Sequence, residues 1–402
     1  MLVGLFCDTY PPETDGVGMV AESYARELVA QGEECYLVSP EAPGCEDREY
    51  PFRVVPYHGL KLPQAPQYRA GIPALDFSYR WQALGLKPDI LHAHSPFGAG
   101  SEALRLSRIH DVPLVGTFHS KYYDDFYQAT HSEVLAEAAV KIVLAFYNAC
   151  TEVWTVNEAT AQVLREYGFK KEVKIVPNGT DLWYPTQADR DAATAEYDLG
   201  EDPVFLFVGQ QNWKKNIRHI IEALEQYRQV QPNFKMVLVG QGPHAEEIKE
   251  LVRQKGMMSQ FVFTGQLSDR KKMMGLYARA DLFLFPSLYD TAGLVVREAA
   301  ASGTPSVLVR GSCAAECIRE NENGFLCQDD PGDICKTLLR VMPDTQLRHR
   351  VGEAARQTIP IPWSHIVEDV RRRYRDIIAG YDMREIKLEG KIRKRHENAD
   401  RN

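Results

Sequence analysis

The chain has 402 residues, enough for two compact domains, and its 44% hydrophobic and 25% charged residues are typical of a globular protein. Its net charge of −8 argues against a nucleic-acid binder that works through overall electrostatics. Eight cysteines occur without a CxxC pair, and no histidine lies at zinc-finger spacing. We therefore expect reduced, buried thiols rather than disulfides or a metal site.

The sequence pattern also argues against a membrane-spanning or exported protein. No apolar run approaches the roughly 20 residues that a membrane-spanning helix needs. The N-terminal stretch LVGLFCD (2–8) lacks a basic leading region and is typical of a strand, so it does not resemble a signal peptide. We expect a cytoplasmic protein.

In the first half of the chain, short apolar runs alternate with helical patterns. After the loop TYPPETDGVG, an amphipathic helix is predicted over residues 19–32, ending at Gly32. Strands are predicted in this half at residues 2–8, 34–40, 52–57, 90–95, 113–119, 153–157 and 173–179. Strands that alternate with helices predict a parallel α/β sheet with right-handed crossovers.

The second half repeats this pattern after a polar stretch at 181–202, which we interpret as a linker. Strands are predicted at residues 204–210, 235–242, 261–266, 281–287, 305–309 and 323–327. The fold class is therefore α/β, with two doubly wound, Rossmann-like parallel-sheet domains. Because open α/β sheets bind ligands at the carboxyl ends of their strands, we expect the domains to face each other across a cleft.

The C-terminal part of the chain changes character. Residues 362–382 predict an amphipathic helix, and residues 383–402 form a tail rich in Lys and Arg. Such a tail could lie on an anionic membrane surface, at about 1 kcal/mol per basic residue. The alternative is a frayed, solvated end, and the sequence leaves both open.

The stretch SLYDTAGLVVREAAASGTP (287–305) places two acids around a run of small residues that follows a strand. A helix opened by residues 291–293 would offer free backbone N–H groups to a phosphate. Asp290 could then bind sugar hydroxyls on one side of a diphosphate, and Glu298 a ribose on the other. This arrangement suits a nucleotide sugar. The alternative is that Asp290 is an N-cap and Glu298 a solvated helix residue, which the stretch alone leaves open.

This stretch resembles the signature of the retaining GT-B glycosyltransferases of family 4. Further segments resemble motifs of that family in the expected order: LHAHSPF, GTFHS, IVPNGTDL, FLFVGQQNWKKNIRHIIEAL, VLVGQGP and VFTGQLS. The resemblance covers about residues 1–380. FCDTYPPETDGV and GTFHSKYYDDF look similar to members that glucosylate diacylglycerol.

The resemblance implies that the two domains bind different substrates. Residues 1–185 would form the acceptor-side domain, and residues 186–361 the domain that binds the nucleotide sugar. The helix at 362–382 would cross back to the N-terminal domain. The transfer would proceed with retention of configuration and without a metal, since the donor segment lacks an Asp-x-Asp motif.

Particular residues acquire roles from the same resemblance. His119 and Asp290 would be catalytic, near the transferred sugar. The donor-binding residues would be Gly16, Gln210, Lys215, Gln266, Leu267, Ala292, Gly293, Leu294 and Glu298. The acceptor side would include Lys121, Tyr122 and Tyr123, although aromatic residues there are more often part of a core.

Three positions depart from the family pattern. The family usually has Glu at Asp290, Arg at Gln210 and Gly at Asp15. A shorter acid could alter the choice of sugar. A neutral Gln210 removes charge-assisted contacts to the leaving phosphate, although Lys214 could supply a charge.

The function these observations predict is transfer of a hexose from a UDP-sugar to an acceptor hydroxyl. The acceptor would be a glycerolipid such as diacylglycerol, at the inner membrane face, or a soluble sugar, polyol or polysaccharide. Two other classes stay open: a UDP-sugar epimerase, and a non-catalytic sugar-nucleotide binder that Gln210 would favour. A dehydrogenase is disfavoured because TDGVG lacks the GxGxxG spacing.

Overall fold

The structure is a computed structural model that describes residues 1–9, 16–41, 49–62 and 65–399, with the side chains of 62–68 and 383–399 not described. Asp15 and Cys45 lie outside the described residues. The chain divides into two compact units. Unit 1 comprises Met1–Asn178 and Trp363–Asn402, and unit 2 comprises Gly179–Pro362.

Unit 1 contains a seven-stranded parallel sheet and a two-stranded antiparallel hairpin. Its strands are β1 (Leu2–Phe6), β2 (Glu34–Pro40), β3 (Arg53–Tyr57), β4 (Leu60–Leu62), β5 (Ala65–Ala70), β6 (Ile90–Ala93), β7 (Leu114–Phe118), β8 (Glu152–Thr155) and β9 (Lys174–Ile175). The sheet order is β3-β2-β1-β6-β7-β8-β9, and β4 pairs with β5. The order reverses between β1 and β6, as in doubly wound sheets.

The helices of the first part of unit 1 connect these strands. They are α1 (Gly16–Ala30), α2 (Phe77–Ala83), α3 (Gly98–His110), α4 (Tyr122–Thr130), α5 (Glu133–Ala149) and α6 (Glu158–Glu166), with a 3-10 turn at Pro73–Leu75. Sheet strands such as β1 and β7 are apolar and almost fully buried because helices cover both faces of a parallel sheet.

Unit 2 contains a six-stranded parallel sheet in the order β12-β11-β10-β13-β14-β15. Its strands are β10 (Val204–Val208), β11 (Lys235–Val239), β12 (Phe261–Gly265), β13 (Leu282–Phe285), β14 (Ser306–Val309) and β15 (Phe325–Cys327). Its helices are α7 (Gln187–Glu196), α8 (Ile217–Tyr227), α9 (Ala245–Gln254), α10 (Arg270–Arg279), α11 (Leu294–Ala301), α12 (Pro331–Val341) and α13 (Thr345–Thr358). The order reverses between β10 and β13.

Every strand predicted from the sequence is present, and the predicted α/β class with two doubly wound sheets is confirmed. The interpretation of 181–202 as an irregular linker is wrong over α7, which packs against α10 in unit 2. A capping box at Thr186 and Asp189 starts this helix. The hairpin β4–β5 has no counterpart among the predicted strands.

The long helix α14 (Trp363–Ala399) belongs to unit 1. Its apolar side buries Ile366, Val370 and Tyr374, as the spacing predicted. Arg371 and Arg375 both form ion pairs with buried Glu33. The helix continues through most of the predicted tail instead of ending at 382. None of the helices within the described ranges is both long and apolar enough to cross a membrane.

Candidate functional site

The carboxyl ends of β10 and β13 form the topological switch point of unit 2. Helices leave these neighbouring strands in opposite directions, which opens a crevice in doubly wound sheets. The loop after β10 carries Gln210 and Lys215, and the loop after β13 carries Asp290. Asn216 joins the two loops, since its side-chain amide donates to the carbonyl oxygen of Pro286 over 3.2 Å.

Lys215 and Asp290 form an ion pair between Nζ and Oδ1 across this switch point. The two side chains are 12% and 21% exposed, so both are largely shielded but reachable. The other carboxylate oxygen of Asp290, Oδ2, is buried and accepts no hydrogen bond from the described residues. An unpaired buried acceptor is costly, so a ligand hydroxyl that donated to it would gain a strong hydrogen bond.

A second cation lies beside this pair. The ammonium group of Lys214 is 3.9 Å from the centroid of the Tyr289 ring, and that of Lys215 is 5.2 Å from it. Both contacts are within the range of a cation–π interaction. Two positive charges therefore converge on one aromatic ring next to Asp290, which favours the binding of an anion.

Helix α11 begins at Leu294 with Gly293 as its N-cap, and not at residues 291–293 as the sequence suggested. Gly293 has φ +55°, and no side chain caps the helix. Among the described residues, none accepts a hydrogen bond from the backbone N–H of Ala292, Gly293 or Leu294. Backbone N–H groups without an acceptor at a helix N-terminus suit an anion. Since Gly293 is the N-cap, the alternative interpretation of Asp290 as the N-cap is wrong.

Glu298 lies on α11 and is held by two residues of α10. Arg270 Nη1 donates to Oε1 over 2.6 Å, and the hydroxyl of Tyr277 donates to Oε2 over 3.0 Å. The Glu298 side chain is only 13% exposed. The alternative of a solvated helix residue is therefore wrong, and the carboxylate is fixed in one orientation.

The negative charge of Glu298 raises the pKa values of its two partners, Arg270 and Tyr277. Burial would lower the pKa of Arg270, but the neighbouring Glu298 outweighs burial and raises it. Burial and the Glu298 charge together raise the pKa of Tyr277 well above its ordinary value. Arg270 also donates to Asp181 over 3.3 Å. Arg270 is therefore a cation and Tyr277 a neutral hydrogen-bond donor at neutral pH.

The remaining predicted donor residues of unit 2 lie at neighbouring strand ends. Gln210 is partly exposed after β10, and its carbonyl oxygen accepts from the backbone N–H of Asn212 over 2.9 Å. Gln266 is exposed and Leu267 half-buried directly after β12. Their contact with a base stays a prediction.

In unit 1, the corresponding strand ends meet around a half-buried acid, Asp8. It accepts hydrogen bonds from Tyr57 over 2.9 Å, Ser95 over 2.6 Å and the Ala99 backbone over 2.8 Å. Burial outweighs these bonds and raises the pKa of Asp8. Gly16 is the exposed first residue of α1.

His119 belongs to a buried stack of three histidines at the ends of β6 and β7. Its Nε2 is 3.1 Å from Nδ1 of His94, and the ring centroids of His94 and His92 are 4.2 Å apart. His92 is within 2.5 Å of the Tyr374 hydroxyl and 2.6 Å of Thr117 Oγ1. Both His92 and His94 are buried.

Burial lowers the pKa of all three histidines, that of His119 to about 3. His119 is therefore a neutral imidazole at physiological pH. It can donate or accept a hydrogen bond, but it does not carry a positive charge. Its catalytic role stays a prediction.

The predicted acceptor residues lie at the start of α4. Lys121 is the N-cap residue of this helix. The ring of Tyr122 is buried against Phe97 and Phe118, so Tyr122 belongs to the core. Tyr123 is half-buried and stacks on Tyr127 with ring centroids 6.3 Å apart.

Three residues that complete the site in unit 2 were missed by the sequence analysis. Arg270 and Tyr277 approach Glu298 from α10, at separations of 28 and 21 residues along the chain. Tyr289 supplies the ring for both lysines. Its position directly before Asp290 was the only signal that could have found it.

Comparison with known proteins identifies the family. A model described as "Glycosyltransferase Family 4" matches residues 14–184, and one described as "Glycosyl transferases group 1" matches residues 189–358. The chain belongs to glycosyltransferase family 4. As a member of this family it is a glycosyltransferase that uses a nucleotide sugar, and its two doubly wound units form the GT-B fold.

Relatives of this glycosyltransferase are named for different products. It is 24% identical to the alpha-monoglucosyldiacylglycerol synthase of Streptococcus pneumoniae over 323 residues, 76% of this chain and 70% of that protein. It is 25% identical to the glycogen synthase of Mycobacterium tuberculosis over 382 residues, 87% and 88% of the two chains. The crystal structure of Anabaena HepE in complex with UDP-glucose has a TM-score of 0.75, 19% identity, and coverage of 93% and 99%.

Proposed function

We propose that this glycosyltransferase transfers a hexose from a UDP-sugar, with UDP-glucose as the first candidate, to a hydroxyl of a glycerolipid such as diacylglycerol. The observation that carries the donor half is the switch-point geometry of unit 2. Two lysines follow β10, and three backbone amides and two carboxylates, Asp290 and Glu298, follow the neighbouring strand β13. Glucose and UDP are supported by the solved complex of HepE and by the name of the diacylglycerol relative.

In this proposal the diphosphate of the donor binds at Lys215 and at the amides of residues 292–294. These groups stabilise the negative charge that develops when the glycosidic bond breaks, without a requirement for a metal. The buried Oδ2 of Asp290 accepts a hydrogen bond from a hydroxyl of the transferred sugar. Glu298 accepts from the ribose.

The acceptor hydroxyl then attacks on the face from which the diphosphate leaves, so configuration is retained. No side chain is assigned as a covalent nucleophile. His119, as a neutral hydrogen-bonding group, would orient the transferred sugar. A soluble acceptor is the second candidate, and the similarity to glycogen synthase over 87% of the chain supports it.

The test is a turnover screen in two steps, with EDTA present throughout. UDP-, GDP- and ADP-sugars are first screened by thermal shift, and the best donor is then offered diacylglycerol in mixed micelles or soluble sugars and glucans. We expect release of UDP that depends on the lipid, with a glucolipid as product. Glu298→Ala serves as the inactive control.

Each other outcome has a defined meaning. Turnover only with a glucan would replace the lipid by a soluble acceptor. Consumption of the UDP-sugar without an acceptor would indicate an epimerase or hydrolase, and binding without any turnover a sugar-nucleotide binder. Absence of turnover in EDTA, with turnover once Mg²⁺ replaces the EDTA, would contradict the metal-free mechanism.

A further inference from the structure

One surface of unit 1 is apolar and exposed. Five large hydrophobic side chains within 13 residues of sequence have most of their surface in solvent; they are Ile72 (64% exposed), Leu75 (71%), Phe77 (82%), Trp81 (80%) and Leu84 (73%). We call this surface the α2 face. Phe77, Trp81 and Leu84 are spaced by four and three residues, so they lie along one side of α2.

The opposite side of α2 is also apolar and is used by the core of unit 1. Tyr79 and Ala83 are buried there, and Tyr79 packs against Tyr57 of β3. A helix of a globular protein normally turns its second side, rich in polar residues, toward water. Because α2 is apolar on both sides, its outer side is suited to an apolar partner.

The segment that carries the α2 face is basic, although the whole chain is acidic. Residues 51–88 contain a single acid, Asp76, and five basic residues, which gives a net charge of +4 in a chain of −8. The basic residues are Arg53, Lys61, Arg69, Arg80 and Lys87. Asp76 is the N-cap of α2 and already accepts from the backbone of Ser78 and Tyr79. Its negative charge therefore stabilises the N-terminus of α2.

Two of the basic residues lie at the border of the apolar side chains. Arg80 lies on α2 with its guanidinium 5.9 Å from the ring centroid of Phe77. Arg53 donates to the carbonyl oxygen of Gln82 over 3.1 Å, which places it beside the same helix. An apolar centre with a basic border is complementary to an anionic bilayer, whereas two copies of such a face would repel each other.

We propose that the α2 face docks on an anionic membrane surface, with Phe77, Trp81 and Leu84 inserted between the lipid headgroups. Trp is well suited to this interfacial region, because its ring is apolar and its N–H stays near water. Basic side chains near an anionic surface contribute about 1 kcal/mol each, so the border adds to the apolar contacts. This docking does not require that the chain transfer a sugar.

The face is also next to the predicted acceptor side. A β-carbon at Gly98 would lie 2.6 Å from the carbonyl oxygen of Gly71, so the start of α3 directly adjoins the face. Phe97 is 43% exposed there, and its ring contacts Tyr122 and Phe126 of α4. If the proposed lipid acceptor is correct, it would enter along this side.

The full-length chain provides its own reporter for a test. Trp81 is 80% exposed, whereas Trp154 and Trp363 are buried and Trp183 and Trp213 are partly buried. Vesicles of phosphatidylglycerol and phosphatidylcholine in equal amounts should shift the tryptophan emission to the blue and sediment the protein. Pure phosphatidylcholine should do so much less. Trp81→Phe should abolish the shift and keep the sedimentation.

Variants locate the contact. Phe77→Ser/Trp81→Ser should lower the affinity for the anionic vesicles by at least about tenfold, since two buried aromatic contacts are lost. Phe77 is 82% exposed and Trp81 is 80% exposed, so the melting temperature should not change. Val230→Ser, at a position of unit 2 that is 59% exposed, is the matched control and should bind as the wild type. Arg80→Glu/Lys87→Glu should weaken binding to the anionic vesicles only.

Three results would overturn the proposal. Vesicle binding that the double serine variant leaves unchanged would place the contact elsewhere, for example in the basic C-terminal segment. Binding without a change in Trp81 emission would do the same. A dimer that this variant converts to monomers, with no vesicle binding, would make the face a self-association surface. All three are readable whether or not the chain transfers a sugar.

Discussion

Arg270 Nη1 donates to Glu298 Oε1 over 2.6 Å, and this contact joins α10 to α11 behind the switch point of unit 2. Tyr277 holds the second oxygen, so both oxygens of the carboxylate are oriented before any ligand binds. A hydroxyl that approaches Glu298 meets an acceptor that does not need to reorganise. Because little ordering is lost on binding, a single hydrogen bond to this carboxylate contributes more to the binding affinity.

Substitution of Glu298 by Ala should weaken the binding of UDP and of uridine by the same factor, about tenfold or more. The physical reason is that a hydrogen bond to a charged group contributes about 1.5–3 kcal/mol, and the ribose is common to both ligands. Isothermal titration calorimetry measures both affinities. Arg270→Met is the companion variant and should cause a smaller loss, because Tyr277 still holds the carboxylate. Unchanged affinity for uridine in Glu298→Ala would contradict the ribose role.

Lys215→Met should distinguish the contribution of the diphosphate to binding from that of the nucleoside. UDP affinity should fall by about tenfold or more, whereas uridine affinity should stay the same, because the lysine acts on the phosphates alone. The wild-type affinity for UDP should decrease with added salt, and the variant should show a weaker salt dependence. Asp290→Asn is the control for loss of the ion-pair partner, and it should retain UDP binding while turnover falls. Equal losses for UDP and uridine would contradict the assignment.

The fold was predictable because parallel strands buried on both faces are continuous apolar runs, and each was visible in the sequence. The hairpin β4–β5 and helix α7 were missed for opposite reasons. The hairpin is short and antiparallel beside a parallel sheet. Helix α7 is rich in polar residues and is recognised through its Thr186 capping box and its contact with α10, not through apolar periodicity.

Lys214 should carry the charge that the family places at Gln210. Its ammonium group is 3.9 Å from the Tyr289 ring, on the same aromatic ring that Lys215 approaches. Lys214→Met should lower the affinity for UDP by about three- to tenfold and leave uridine unaffected. The decisive variant is Gln210→Arg in the Lys214→Met background, which should restore UDP affinity. If Gln210→Arg raises affinity equally in the presence of Lys214, the two positions act independently.

Sequence analysis correctly placed the site residues on the loops after β10 and β13 at the switch point. These residues were predictable because the end of a strand determines where its loop begins. The roles of Arg270 and Tyr277 could not be predicted from the sequence, because their side chains contact Glu298 only through the packing of α10 on α11. The burial of Tyr122 and of His92 with His94 was equally hidden, because aromatic and imidazole rings at strand ends suit both a core and a surface.

Gly293→Ala should destabilise unit 2 by about 1–2 kcal/mol or more and weaken UDP binding. Gly293 has φ +55°, which a residue with a β-carbon adopts only at a cost, and that carbon would lie 2.9 Å from Cβ of Ala314. Gly303→Ala is the matched control, since it has φ +79° with open space around it. It should lose stability from backbone strain alone and keep UDP affinity. Chemical denaturation and calorimetry check both. Normal UDP binding by Gly293→Ala would argue against amides 292–294 as the phosphate site.

Acidification should destabilise unit 1 through its buried histidines. Burial lowers the pKa of His119 to about 3, and those of His92 and His94 also lie well below their ordinary value near 6.5. Between about pH 6.5 and 4 the unfolded chain therefore binds more protons than the folded chain, so the free energy of unfolding falls as the pH falls and levels off above about pH 7.

His119→Gln should reduce this slope by up to about 1.4 kcal/mol per pH unit, the full contribution of one proton. Urea unfolding at pH 5, 6 and 7, followed by circular dichroism, measures the slope. His349→Gln, at a solvent-exposed position of unit 2, is the matched control and should leave the slope unchanged. A slope identical in the wild type and His119→Gln would mean that His119 takes up its proton without unfolding. In that case His119 would be able to act as a general acid, contrary to its assignment as a neutral hydrogen-bonding group.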